Sequence, residues 1–138
     1  MTLEQKGRWL FGVNALINWT VSVRGIVDPV GTALAFGGVA PNYPFMLRLW
    51  SAFIFMFGCM FWEVGRDPAG KHALAKYNWI EKTLTAAAVT AGFLAGQAPP
   101  RLMLLIVLTN WLWIPFILWW DLAQGRSLRA QRRATAAR

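Results

Sequence analysis

A few charged residues lie inside long apolar stretches of this sequence, and these are the residues that could do chemistry. Lys82 and Glu81 are adjacent in one stretch, and Glu63 lies near the end of the stretch before it. A charged side chain in apolar surroundings costs free energy unless it is partnered, so residues of this kind often mark binding sites or proton paths. These three side chains are therefore the first candidates for a functional site.

Lys82 has a structural and a functional interpretation. The connection 66–73 is short, so the stretches on either side of it are expected to form a hairpin that brings Lys82 to Glu63 at similar depth. Such a pair, or a long stem that reaches the headgroups, fixes helix packing. Alternatively, Lys82 forms a polar site for an anionic headgroup or a small acid. Glu81 is expected on another helix face and is a poorer partner.

Three asparagines extend this candidate polar cluster. Asn14 and Asn18 are four residues apart and share one helix face, and Asn110 lies in the last apolar stretch. Amides in such positions hydrogen-bond across helices, with about 0.6–2 kcal/mol for each bond. Arg24 and Arg48, near the other ends of the first two stretches, form a candidate outer anion site, although Asp28 is also placed to pair with Arg24.

Other kinds of chemistry lack the residues they need. The chain has one histidine, His72, and one cysteine, Cys59, so it cannot supply a bis-histidine haem site or a histidine-rich metal cluster. It contains no nucleophile elbow, no phosphate-binding loop and no glycine-rich dinucleotide motif. We expect no cofactor, no metal and no catalytic activity.

The elements that position these residues follow from composition. Of the 138 residues, 57% are apolar, nine are tryptophan and only 14% are charged, against about 25% in soluble domains. Four stretches, 9–27, 45–64, 74–96 and 102–121, are each long enough to cross roughly 30 Å of hydrocarbon. This pattern predicts an all-α integral membrane protein, an antiparallel four-helix bundle over residues 1–125. A short interfacial segment follows the first span, and small residues are expected at helix contacts, namely Gly12, Ala15, Ala88, Ala91, Gly92 and Ala95.

The net charge of +8 is distributed in a way that indicates topology. Ten of the fourteen cations lie in the N-terminal segment, the second connection and the tail 126–138, and only three lie near the other two connections. Lysine and arginine prefer the cytoplasmic side, so both termini are predicted to be cytoplasmic in a multi-pass protein of the cell inner membrane, with no nucleic-acid partner. The basic tail is expected to contact anionic lipid or an acidic partner through Arg126, Arg129, Arg132 and Arg133.

The order of several short motifs resembles a known group. Asparagine in the first span, Asp28-Pro29, Arg48-Leu49, Gly58, Arg66-Asp67-Pro68 and Lys82 follow one another as in uncharacterised small four-helix bacterial membrane proteins that are loosely DoxX-like. The resemblance covers residues 9–121 and implies a four-helix bundle without an assigned activity. The pattern has an acidic residue in the fourth span where this chain has Asn110.

Two functions are consistent with these observations. Phenylalanine-rich spans offer apolar surface on more than one face, which favours a non-catalytic accessory or structural subunit that contacts the bilayer and other membrane subunits. The alternative is a small transporter or a lipid- or anion-binding protein that uses the polar cluster near Lys82.

Overall fold

The fold is known from a computed structural model that describes residues 1–136, and every regular element in that range is a helix. Ala137 and Arg138, the end of the predicted tail, lie outside the described residues. A π-helical segment, Val107–Trp111, joins the last two helices. The helices are α1 (Leu3–Val27), α2 (Pro29–Ala35), α3 (Pro44–Arg66), α4 (His72–Leu94), α5 (Pro100–Ile106) and α6 (Ile114–Ala136).

Local side-chain chemistry accounts for the helix ends. Thr2 and Gln5 form a capping box, in which the Gln5 amide nitrogen donates to Thr2 Oγ1 and the Thr2 nitrogen donates to Gln5 Oε1. Asp28 follows α1 directly and caps α2, which begins at Pro29, by accepting from the Gly31 nitrogen at 2.8 Å. A short helix, α2, therefore lies after α1 in the segment between the first two spans.

Three of the predicted spans are long and apolar enough to cross a membrane: α1, α3 and the helical stretch from Pro100 to Ala136. The remaining predicted span, 74–96, corresponds to α4, which has the same length as α3 but carries several buried polar residues. The helix ends lie within a few residues of those predicted, with two exceptions. α1 begins at Leu3, six residues before the predicted start at residue 9. The last helix was predicted to end near Asp121, yet it continues to Ala136.

The most extensive helix contact joins α1 to α3, which run antiparallel. Glycine allows the close approach, since a Cβ atom at Gly65 would lie 3.3 Å from the backbone nitrogen of Gly12. Ala15 is fully buried, as a contact residue should be. The contacts predicted for α4 and its C-cap are wrong at Ala88, Ala91 and Ala95, which are exposed, whereas Gly92 is partly buried and lies near Ala98.

The remaining contacts close the helices around two apolar clusters. α6 packs on α1 and α4, and Phe11, Phe61 and Trp120 form the larger cluster at the end of the molecule that holds the N-terminus. A smaller cluster of Ala86, Val89 and Ile106 lies toward the other end. This packing brings α1, α3 and α4 together around Lys82.

Candidate functional site

Lys82 lies inside the helix assembly, with only 1% of its surface exposed. Its Nζ donates a hydrogen bond of 3.0 Å to Oδ1 of Asn18 on α1 and lies 5.1 Å from the centroid of the Phe61 ring on α3. An amide oxygen and an aromatic face both favour the ammonium group. Lys82 therefore connects three helices, and its charge is enclosed.

The predicted pair between Lys82 and Glu63 is wrong. Glu63 is half-exposed, and its nearest cationic partner is Arg66, at 3.9 Å on the same helix. The Lys82 ammonium group lies against Phe61, which is only two residues before Glu63. Residues two apart on a helix are separated by about 200°, so Glu63 lies on the other side of α3, and the Asn18 amide takes the place of the carboxylate.

The asparagines of α1 have different roles despite sharing one face. Asn18 bridges two helices, because its Nδ2 also lies 3.5 Å from the carbonyl oxygen of Ile54 on α3. Asn14 donates to the carbonyl oxygen of Leu10 in its own helix at 2.8 Å, and its Oδ1 has no hydrogen-bond partner among the described residues. Only Asn18 forms the cross-helix contact that was expected of both.

Asn78 belongs to this cluster although the prediction omitted it. It lies one turn before Lys82 on α4, is fully buried, and neither polar atom of its amide is paired within residues 1–136. Since α1 and α4 run parallel, Asn14 and Asn78 are each one turn from the Asn18–Lys82 bond in the same direction. We call Asn14, Asn18, Asn78 and Lys82 the central polar cluster.

Asn110 does not contribute a hydrogen bond to the central polar cluster. It is buried in the π-helical segment, where its Nδ2 donates to Oγ1 of Thr109 at 2.9 Å. The same segment is tied to α4 by Trp111, whose Nε1 donates to Oγ1 of Thr90 at 3.1 Å. The π-helical turn therefore orients side chains for packing on α4.

Glu81 faces a different environment from its neighbour Lys82. It lines an open groove between α3 and α4, with 9% of its surface exposed. Its Oε1 accepts from Oγ1 of Thr85 at 3.4 Å, and Oε2 has no partner among the described residues. The expectation that Glu81 and Lys82 point to different faces is confirmed.

A second polar group, at the end that holds the N-terminus, was missed by sequence reasoning. The Nε2 of His72, the first residue of α4, lies 2.9 Å from both the backbone oxygen and Oδ1 of Asp121 on α6. Both atoms are acceptors, so Nε2 carries the hydrogen. Trp79 Nε1 donates to the other carboxylate oxygen at 3.3 Å, and Gly125 leaves room for the imidazole ring. His72 was assigned to a loop, and no local pattern indicated a partner 49 residues away.

The arginines of the candidate outer anion site have other contacts. Arg48 donates from Nε to the carbonyl oxygen of Ile26 at 3.2 Å, which satisfies the end of α1. Arg24 and Arg48 are both exposed. The alternative pair between Arg24 and Asp28 is wrong, because the Asp28 carboxylate is used to cap α2 and forms no ion pair within 4 Å in the described chain.

Arg126, Arg129, Arg132 and Arg133 form an exposed basic surface on the second half of α6. Within residues 1–136, no three His, Cys, Asp or Glu side chains are grouped so that they could hold a metal ion. Comparison of the chain with family models, curated proteins and solved structures gives no match. The case for a function therefore rests on the chain's own geometry.

Proposed function

We propose that the protein is a multi-pass inner-membrane protein with four spans, in which α4 is the span that hydropathy alone does not reveal. The polar residues of the middle of α4, Asn78, Glu81 and Lys82, are all buried, whereas Leu84 and Ala88 are exposed. The mean hydropathy of the whole helix averages its buried and exposed faces, whereas contact with lipid depends on the exposed face alone. An antiparallel four-helix membrane bundle follows from this arrangement.

The proposed orientation places both termini in the cytoplasm. Trp120 Nε1 donates to the carbonyl oxygen of Leu3 at 2.9 Å, and His72 contacts Asp121, so the N-terminus, the α3–α4 connection and the second half of α6 share one end. This end carries most of the cations, including Lys6, Arg8, Arg66, Lys71 and Lys76. The preference of lysine and arginine for the cytoplasmic side supports the assignment.

We further propose that the protein is a non-catalytic subunit of a larger membrane assembly. The observation that carries this proposal is that α6 continues to Ala136, so residues 126–136 of the basic tail are helical. We call this part of α6 the basic rod. Arg133 is twelve residues beyond Asp121, about 18 Å along the axis. A helix that keeps its direction carries its arginines past the headgroup layer, where an acidic protein surface is the fitting partner.

Native mass spectrometry of gently solubilised membranes tests this function. The wild-type protein is expected with other chains at a fixed stoichiometry, and Arg129→Glu combined with Arg132→Glu and Arg133→Glu should release them. The matched control replaces the same three arginines by lysine, which keeps the charge and should retain the partners at least in part. A lone, monodisperse wild-type species would contradict the proposal, and retention of the partners by the glutamate variant would exclude the basic rod as the contact.

A second candidate is a small transporter or a lipid- or anion-binding protein that uses Lys82. The unpaired amide atoms of Asn14 and Asn78, each one turn along its helix from the Asn18–Lys82 hydrogen bond, favour this candidate, because buried polar groups are otherwise satisfied. Saturable binding of acetate or inorganic phosphate by the purified protein, lost in Lys82→Met, would support it. Equal binding by wild type and variant would exclude Lys82 as the site.

A further inference from the structure

The groove between α3 and α4 has the size of a ligand site. α3 makes much less contact with α4 than with α1, and the gap forms an open groove with a volume of about 560 Å³. Sites for drug-sized molecules commonly measure roughly 300–1,000 Å³. The wall on the α3 side consists of large apolar side chains, among them Met46, Trp50, Phe53 and Phe57.

One charged side chain faces this groove, and it is negative. Among the lining residues only Glu81 carries a carboxylate, and none is a lysine or an arginine. Glu81 is about nine-tenths buried, and its Oε2 has no partner in the described chain. A carboxyl oxygen in this position is costly unless a cation or a hydrogen-bond donor reaches it.

Lys82 makes no direct contact with this carboxyl group, although it is the next residue. Its Nζ donates to Asn18 on α1, and the described residues contain no ion pair within 4 Å that involves Glu81. Consecutive residues on a helix are separated by about 100°. One residue of this pair is therefore committed to the central polar cluster, and the other is available to a molecule in the groove.

The aromatic side chains of the groove favour the same kind of molecule. Trp50 and Phe53 are about half-exposed toward the groove and its mouth. Aromatic faces attract cations, and aromatic and aliphatic walls take up an apolar body. Glu81 lies nine residues into α4, about 13 Å from its start, so the ligand must itself be soluble in hydrocarbon at that depth.

We propose that the α3–α4 groove binds a lipophilic organic monocation, either a protonated amine or a quaternary onium ion with an aromatic or aliphatic body. Glu81 contacts the positive centre, Thr85 holds the carboxyl group, and Trp50 and Phe53 flank the apolar body. The ligand enters from the bilayer through the open side of the groove. This site is separate from the basic rod on α6, and it does not depend on the protein being a subunit.

Equilibrium binding of radiolabelled tetraphenylphosphonium to the purified full-length protein in lipid nanodiscs tests the proposal. Saturable binding at one site per chain is expected, and Glu81→Gln should weaken it at least tenfold. Glu63→Gln is the matched control, since it removes the same charge from a half-exposed position outside the groove and should leave the affinity unchanged. Trp50→Ala should weaken binding severalfold. Equal affinity of Glu81→Gln and wild type would overturn the proposal.

A comparison on the wild-type protein keeps the test valid if the Glu81 variant does not fold. Tetraphenylborate has nearly the same shape and the opposite charge, and it should bind at least tenfold more weakly than tetraphenylphosphonium at this site. Equal binding of the two ions would mean adsorption to apolar surface and would overturn the proposal. A photo-crosslinker at Phe53 that captures another protein chain in place of the cation in native membranes would also overturn it.

Discussion

The two sides of α3 differ in how closely they approach their neighbours. Toward α1, Gly58 and Gly65 let the helices come close, and the polar side chains between them are enclosed. Toward α4, Trp50, Phe53 and Phe57 hold the helices apart and leave a groove with a carboxyl group at its edge. The contrast shows that residue size, more than polarity, decides whether a polar group within the membrane is structural or accessible to a ligand.

The largest expected difference between the two sides is in the free energy of unfolding that an aromatic-to-alanine substitution costs. Phe11 is fully buried against Phe61 and Trp120, with ring centroids 6.0 and 4.8 Å away, whereas Phe53 is 52% exposed. Phe11→Ala should lower the free energy of unfolding by about 3–5 kcal/mol, because it leaves a cavity. Phe53→Ala should cost less than about 1 kcal/mol. Unfolding in mixed detergent–SDS micelles measures both, and equal losses would erase the contrast between the sides.

The enclosed side should also show coupling between polar residues. Asn18→Leu leaves the Lys82 ammonium group without its acceptor and should cost about 2–3 kcal/mol. Lys82→Met removes the charge itself and should cost less than about 1 kcal/mol. The double variant should resemble Lys82→Met alone.

A double-mutant cycle in the same unfolding assay measures this coupling. Glu63→Gln combined with Lys82→Met is the control and should be additive, because Glu63 is half-exposed near Arg66 and does not pair with Lys82. Additive losses for Asn18→Leu and Lys82→Met would mean that their hydrogen bond contributes nothing to stability.

Close approach of α1 and α3 should depend on individual glycines. A Cβ atom at Gly58 would lie 2.6 Å from the ring of Trp19, whereas one at Gly12 meets nothing within 4 Å. Gly58→Ala should therefore lower the free energy of unfolding by about 1–3 kcal/mol. Gly12→Ala, with the same gain in helix propensity, should be neutral or slightly stabilising. Thermal unfolding in detergent measures both effects. A Gly58→Ala variant as stable as the wild type would show that the α1–α3 contact can accommodate the added methyl group.

The smallest effect is expected where α4 is held by α6 instead of α3. His72→Ala removes the hydrogen bond to Asp121 and should cost about 1 kcal/mol. Its effect should be local, with faster hydrogen–deuterium exchange in the first two turns of α4. Lys71→Ala, an exposed change at the adjacent position, should leave the exchange unchanged. Unaltered exchange in both variants would indicate that Trp79 alone holds this end of α4.

Most residues of the candidate site were predicted from the sequence, but their hydrogen-bond partners were not. The burial of Asn14, Asn18, Asn110 and Lys82 follows from polar residues at central positions of apolar helices. The partner of Lys82 was mistaken, because a hairpin was assumed to bring Glu63 to it. A short connection makes α3 and α4 neighbours, but the rotation of each helix about its own axis decides which side chains meet.

His72 illustrates the same limit at the other polar group. A lone histidine after Gly70 and Lys71 has the composition of a loop, and its partner, Asp121, follows 49 residues later. The extension of α6 past Gly125 was also unexpected, since glycine and a run of arginines usually end an apolar helix. Here Gly125 faces the His72 ring, so the residue that signals an end serves a contact between helices.

The sequence by itself determined the helical class, the apolar stretches and the distribution of charge. These properties depend on hydropathy and helix period. Only the tertiary structure decided that Lys82 bonds to Asn18, that Glu81 faces a groove, and that His72 meets Asp121. Contacts across helices depend on how far each helix is rotated and shifted against its neighbour, and the small and large side chains that meet at each interface set that geometry.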